Sequence, residues 1–176
     1  DINNSLYNKK IDDYTIYFKD LSNLKTYTID DEDTIEIDDA IALERNSQNY
    51  KLWIHIASPA SHIEYDSDVD KRARRLICSQ YLATKNIYMF PEELIDDSFS
   101  LNKTKTRPSL SLGVTFNYNG SVYSYEIVQS LIKPDYRLSY EDADELIDYA
   151  PKEEEDLNII SNILENRKSW RMHLGA

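Results

Sequence analysis

Seven carboxylates fall within ten consecutive positions of the stretch TIDDEDTIEIDDA, Thr28 to Ala40: Asp30, Asp31, Glu32, Asp33, Glu36, Asp38 and Asp39. Like charges this close repel one another, which costs stability unless water, neighbouring cations or a bound metal ion relieves it. Two features favour a site over a solvated acidic loop. The carboxylates are interleaved with Ile29, Ile35, Ile37 and Ile41, the mark of a core-packed segment, and they fall where strands are expected to end or bend. If the remedy is an ion, oxygen-only ligands select Mg²⁺ or Mn²⁺ over zinc or copper. The calcium-loop pattern fails, because Asp31-x-Asp33 is followed by Ile35 and no Gly supplies the sharp turn. Magnesium takes part of its shell from water and substrate phosphate. Such a loop therefore suits phosphodiester chemistry, in which the metal activates water and stabilises the leaving oxygen.

Cations recur in small groups: Lys71, Arg72, Arg74 and Arg75, then Lys103, Lys105 and Arg107, then Lys133 and Arg137. The first group leads into Tyr81, with Tyr88 and Phe90 beyond. Cations beside exposed aromatics are what a single-stranded nucleic acid needs, for phosphates and for stacking bases. Tyr81, Arg75 and Arg107 are the candidates for that contact. The histidines have no motif partner; His55 sits inside an apolar run and reads as a core residue, while His62 falls in a loop. Cys78 reads as an inert core thiol.

The elements that must position these residues follow from periodicity. TYTID, Thr26 to Asp30, is an extended segment, and Tyr14 to Phe18 (YTIYF) could be another. From Ile35 the alternation places Ile35, Ile37, Ile41 and Leu43 on one face, which would bring Asp39 among the isoleucines. An unpaired carboxylate buried there is costly, so either the strand bends at Asp38–Asp39 or Asp39 points into a polar cavity. KLWIHIAS is a strand closed by Pro59. Ser67 or Asp68 caps a helix expected to reach about Leu82, with Val69, Ala73, Leu76 and Ile77 inward. Two alternating runs about Asn119-Gly120 predict a hairpin. Ser139 opens a helix with Asp142 as its capping-box partner, and Pro151 opens another, acidic at its start and basic at its end. The fold class is α+β: a twisted, mostly antiparallel sheet flanked by helices.

A chain of 176 residues with 41% hydrophobic and 11% aromatic residues can bury a core as one domain. A net charge of -12 argues against gripping nucleic acid by overall electrostatics, though a local basic groove is compatible with it. One cysteine excludes an intrachain disulfide and a Cys-rich zinc site, and cytoplasmic surroundings are the expectation. No apolar run approaches the ~20 residues of a membrane span. The chain starts DINNSLYNKK without Met, so it is expected to be a piece of a longer protein. Residues 1–20 read as a polar lead-in and 21–176 as the domain.

The acidic segment resembles the signature of the ribonuclease II/ribonuclease R catalytic (RNB) domain, in which Thr-Ile-Asp is followed by a second acidic position and then Asp-x-Asp-Asp-Ala. Further blocks follow in family order: WIHIASPASHI, a helix ending RRLICSQYL, NIYMFPEELIDDSFSL, RPSLSLGVTF, IVQSLI and RLSYEDADELI. The resemblance runs from about Asp20 to the last residue. It implies processive 3′ to 5′ hydrolysis of single-stranded RNA to nucleoside 5′-monophosphates. By position, Asp30, Asp38 and Asp39 match acidic residues of the catalytic magnesium site, and Tyr81 matches the aromatic that stacks on the terminal base. Glu36 stands where the best-known members have Asp, as the fourth carboxylate. Ser58 stands where many have Asp.

The resemblance also implies missing parts. The family's domain continues past Ala176 with a catalytic arginine and further aromatics, followed by an RNA-binding domain of OB fold. The expected partners are thus single-stranded RNA, the C-terminal half of the catalytic domain and that OB-fold domain. Two rival readings use the same residues without catalysis, one as an RNA- or metal-binding module and the other as an acidic adaptor.

Overall fold

A computed structural model describes residues 17–46 and 49–175. Among these, the chain forms a seven-stranded sheet, a two-stranded ribbon and flanking helices. In chain order the strands are β1 (Lys19–Asp20), β2 (Thr26–Ile29), β3 (Asp39–Arg45), β4 (Tyr50–Ala57), β5 (Gln80–Tyr81), β6 (Asn86–Ile87), β7 (Arg107–Phe116), β8 (Val122–Ile132) and β9 (Tyr136–Leu138). The helices are α1 (Asp68–Leu76), α2 (Glu92–Leu94), α3 (Tyr140–Tyr149) and α4 (Glu155–His173). The large sheet runs β1-β8-β7-β4-β3-β2-β9, with β5 and β6 forming the separate ribbon. Its outer pairs, β1–β8 and β2–β9, are parallel and the inner ones antiparallel. The expectation of a mostly antiparallel α+β fold holds.

Period-two alternation divides the core. On β4, Leu52 faces Leu43 and Ile160 beneath α4, whereas Trp53 faces Leu21, Ile37, Ala40, Ala42, Leu101 and Ile132 on the other side. Gly113 lies opposite Trp53 on β7, and a Cβ there would come within 2.8 Å of the indole ring. Only glycine admits the ring at that distance. His55 is fully buried, as expected, and Nδ1 shares a 2.6 Å hydrogen bond with Ser111 Oγ.

Local signals were followed at most element ends. Ser67 Oγ accepts from Asp70 N–H at 3.2 Å and caps α1. Ser139 and Asp142 form the reciprocal box that starts α3, at 3.0 Å in both directions. The hairpin turn reverses at Gly120, in the left-handed region with φ 82°. Pro151 precedes a 3₁₀ turn, Lys152–Glu154, that leads into α4.

Three expectations need correction. Residues 14–16 of the YTIYF segment lie outside the described residues, and Tyr17 and Phe18 are not in a strand. The strand expected from Ile35 begins only at Asp39. Residues 31–38 are irregular, so Ile37 packs with Trp53 while Ile41 joins the cores on the α4 side. That bend relieves the clash of periods without burying Asp39, which is exposed on the side of Ile41 and Leu43. Helix α1 ends at Leu76, short of Leu82, because Ile77 turns to φ 69° and breaks the helical path. Ile77 is 79% exposed instead of inward, and Cys78 is exposed instead of buried.

Candidate active site

The acidic loop is tied down along its length. At its start, Asp30 N–H donates to the carbonyl of Leu138 at 3.1 Å as β2 ends. Arg137 Nη2 then reaches across to the carbonyls of Glu32 (2.9 Å) and Thr34 (2.8 Å). Ser100 Oγ accepts from Ile37 N–H at 2.9 Å and donates to the carbonyl of Ile35 at 2.8 Å. The carbonyl of Ile37 accepts from Leu101 N–H (2.9 Å), and that of Asp38 accepts from Ala57 N–H (2.7 Å). Ile37, with no exposed surface, is the apolar anchor. Ser100 stands at the end of a π-helical turn, Ile95–Phe99, that continues α2. A non-repeating loop built this way holds its carboxylates without a ladder of its own.

The electrostatics follow from that crowding. Partial desolvation pushes the Asp38 carboxyl up to about 6, with Glu36, Asp39 and Asp30 adding to the rise. Asp30 is also raised, first by desolvation and then by Asp39, while Arg137 works in the opposite direction. Its Oδ2 atom is buried and has no hydrogen-bond partner among the described residues. Asp39 opens β3 opposite Ile56.

Glu36 differs from its neighbours. Oε1 accepts from Ser79 Oγ at 2.8 Å and Oε2 from the Tyr81 hydroxyl at 2.7 Å. Ser79 immediately precedes β5 and Tyr81 is its last residue. Tyr81 stays 64% exposed and meets Tyr88 edge-on, with ring centroids 6.3 Å apart. Desolvation, then the bond to Glu36 and its charge, pushes the Tyr81 phenol well above the usual tyrosine range. Between loop and ribbon lies a cleft of about 420 Å³, lined by Glu36, Asp38 and Tyr81 and walled by Ile56, Phe90 and Phe99.

The cations are distributed unevenly. On α1, Arg74 pairs with Asp66 and Asp70, and Lys71 with Asp66. Arg72 donates to the carbonyl of Tyr88 at 3.1 Å, joining the helix to the ribbon. Arg75 is exposed and has no ion-pair partner among the described residues; its Nε donates to the carbonyl of Lys71. Arg107 does not behave as a surface RNA contact. It is 8% exposed, and its Nε donates to the carbonyl of Ser100 at 3.1 Å, so it braces the turn behind the acidic loop. Of the residues singled out in the sequence, Glu36, Asp38 and Tyr81 line the cleft, whereas Arg75 lies apart from it beside Asp66, Lys71 and Arg74; Ser79, Ser100 and the bracing by Arg107 and Arg137 were not foreseen. The i, i+2 spacing of Ser79 and Tyr81 was the only available signal, and it does not name a partner.

A magnesium ion can be tested against these residues. Among the described residues no three His, Cys, Asp or Glu side chains converge closely enough to enclose an ion unaided. Magnesium does not require such a cage, since one or two carboxylates suffice when water and substrate phosphate complete the shell. The orphaned Asp30 oxygen and the raised Asp30 and Asp38 carboxyls are the donor set and charge excess that a hard cation relieves. The residues fit.

A mixed sheet that bends into a pinned acidic loop, faced across a cleft by an exposed tyrosine, defines a class of domain built around clustered carboxylates. Comparison with known proteins narrows it: the chain belongs to the RNB domain family, whose model matches residues 18–176. An uncharacterized ribonuclease of Synechocystis is 40% identical over 158 residues, which cover 89% of this chain and 24% of the relative. Among solved structures, Mycoplasma genitalium RNase R in complex with ribose methylated single-stranded RNA superposes with a TM-score of 0.70 at 23% identity, over 87% of this chain and 23% of that one. Yeast Ssd1, a pseudonuclease, superposes with a TM-score of 0.77 at 23% identity, over 88% of this chain and 19% of that one. The two structures speak for the fold alone. The chain spans about a quarter of the length of the relative it matches.

Proposed function

We propose that this chain is the carboxylate-bearing part of a magnesium-dependent 3′ to 5′ exoribonuclease that hydrolyses single-stranded RNA to nucleoside 5′-monophosphates. The observation that carries the reading is one cleft in which the pinned acidic loop faces an exposed tyrosine ring, Asp38 and Tyr81 both lining it. Family membership adds the reaction class.

Asp30 and Asp39 are the proposed metal-holding carboxylates, and magnesium or manganese, when bound, would activate water and stabilise the leaving oxygen. Asp38 is assigned to the attacking water or the RNA 3′ end. Its raised carboxyl accepts a proton near neutral pH more readily than an ordinary aspartate does. Glu36, the fourth carboxylate, adds negative charge beside Asp38. Tyr81 presents its ring to the terminal base, and Arg75, exposed on α1, offers a cation to the phosphates.

The active unit is proposed to include more protein than these residues: the second part of the catalytic domain, with its arginine, and an OB-fold domain. Ile56, Leu110 and Ile127, exposed by 47%, 50% and 62%, form an apolar strip across β4, β7 and β8, and such a face supports a covering segment. Residues 1–176 alone are therefore expected to show little ribonuclease activity, with activity appearing when that segment is supplied in cis or in trans. Mononucleotide release from single-stranded RNA, with magnesium and with chelator, tests the function. RNA binding without turnover in the intact protein would favour a pseudonuclease instead.

A further inference from the structure

We propose that Glu36 is a positioning residue for Tyr81: it fixes the tyrosine through its hydroxyl and so sets where the terminal base stacks relative to Asp38. This rests on the single-stranded RNA reading above. Three observations carry it. The first is that both Glu36 oxygens are engaged by the ribbon, Oε1 by Ser79 at 2.8 Å and Oε2 by Tyr81 at 2.7 Å. Residues two apart on an extended segment point the same way, so a single carboxylate can receive both hydroxyls.

The second is that the ribbon has little else to locate it. It has two paired positions, Gln80 with Ile87 and Tyr81 with Asn86, and a two-stranded ribbon this short is not stable by itself. Its remaining ties are few. Ser79 Oγ also accepts from Met89 N–H at 2.9 Å, and Arg72 holds the carbonyl of Tyr88. Glu36, by contrast, stands next to the buried Ile37 on a loop braced by Ser100 and Arg137. The carboxylate is the rigid partner and the tyrosine the tethered one.

The third is the division of the Tyr81 side chain. Its hydroxyl is bound while 64% of the residue is open to solvent. A ring fixed at its tip and otherwise largely open to solvent is preorganised for stacking, which spares part of the ordering cost of binding. An aspartate at position 36 would be one methylene shorter and could not hold both hydroxyls from the same braced loop.

The test uses the intact protein, in metal-free buffer with chelator so that no RNA is consumed. Single-stranded RNA carrying 2-aminopurine at its 3′ terminus reports stacking through fluorescence quenching. Glu36→Ala, Glu36→Asp and Tyr81→Phe are each expected to weaken the affinity read by this quench by about tenfold or more, the worth of one hydrogen bond to a charged group. The double variant Glu36→Ala/Tyr81→Phe should be no weaker than either single one. Magnesium affinity, read by Mg²⁺-dependent thermal shift, should change less than about twofold in Glu36→Ala. Additive losses, or an intact quench with lost magnesium affinity in Glu36→Ala, would overturn the proposal and leave Glu36 a metal ligand. If Glu36→Ala does not fold, Tyr81→Phe decides: it keeps ring and charge, and an unchanged quench contradicts the tether. A wild-type protein that quenches no RNA would overturn the RNA reading itself, and this proposal with it.

Discussion

The Tyr81 hydroxyl lies 2.7 Å from Glu36 Oε2, so the most exposed aromatic of the cleft is joined directly to the acidic loop. Ser79 completes the joint and has a second duty, accepting the Met89 N–H at 2.9 Å. Ser79→Ala removes a donor to Glu36 and strands a partly buried amide. We expect a loss of about 1–2 kcal/mol in urea denaturation, and faster hydrogen exchange at Met89. Cys78→Ala, one residue away and exposed, should change stability by less than about 0.5 kcal/mol.

Arg137 holds the acidic loop by two backbone carbonyls from one guanidinium nitrogen. Arg137→Ala should loosen residues 31–36, read as faster amide exchange at Thr34, whose N–H donates to the Asp31 carbonyl at 3.0 Å. The expected cost in global stability is about 1 kcal/mol. Arg137→Lys should not restore the protection, because the lysine ammonium sits one bond nearer the backbone than Nη2 and falls short of the two carbonyls. Because Arg137 opposes the rise at Asp30, its loss should push the Asp30 carboxyl higher still, visible in a carboxyl-resolved NMR titration.

Two groups, the loop carboxyl of Asp38 and the buried His55, give opposite pH dependences. Asp38 binds its proton more tightly folded, at about 6, than in the unfolded chain, near 3.9. The folded state then holds the extra proton, so this contribution to stability is lost as pH rises from about 4 to about 6. His55 is held down to about 4 by burial alone, against an ordinary value near 6.5. Here the unfolded state holds the extra proton, and stability falls as pH drops from about 6.5 toward 4. Asp38→Asn should therefore stabilise the metal-free protein more at pH 7 than at pH 4.5, by comparison of Tm with wild type. Magnesium should raise the wild-type Tm above pH 6 and have a smaller effect below pH 5, where Asp38 is protonated.

How much of this was legible in the sequence depends on the range of the interaction involved. Helix starts at Ser67 and Ser139 were readable because the cap and its partner lie within three residues. The hairpin was readable because Asn119-Gly120 separates two runs of period two. The burial of His55 followed from its place in an apolar strand. The course of the acidic loop was not readable, since its braces come from Ser100 and Arg137, 63 to 105 residues away. Periodicity also misled where the helix stopped early: Ile77 and Cys78 continue an apolar face on paper, but a left-handed residue at 77 ends that face. Arg107 looked like a surface cation because charge alone says nothing of a nearby carbonyl that can accept its N–H. At the candidate site, residue types drew attention to the carboxylates and Tyr81, while the bond that joins Glu36 to Tyr81 is a tertiary contact between positions 45 residues apart.

The central claim is that Asp38 carries the hydrolysis in this cleft while contributing little to gripping the RNA. The most direct measurement is single-turnover degradation of 5′-labelled single-stranded RNA by the intact protein, alongside equilibrium binding of the same RNA in chelator. Wild type should shorten the RNA from its 3′ end only with magnesium. Asp38→Asn should lose turnover by at least about a hundredfold while its RNA affinity stays within about threefold. Near-normal turnover by Asp38→Asn, or wild-type degradation that persists in chelator, would contradict the account.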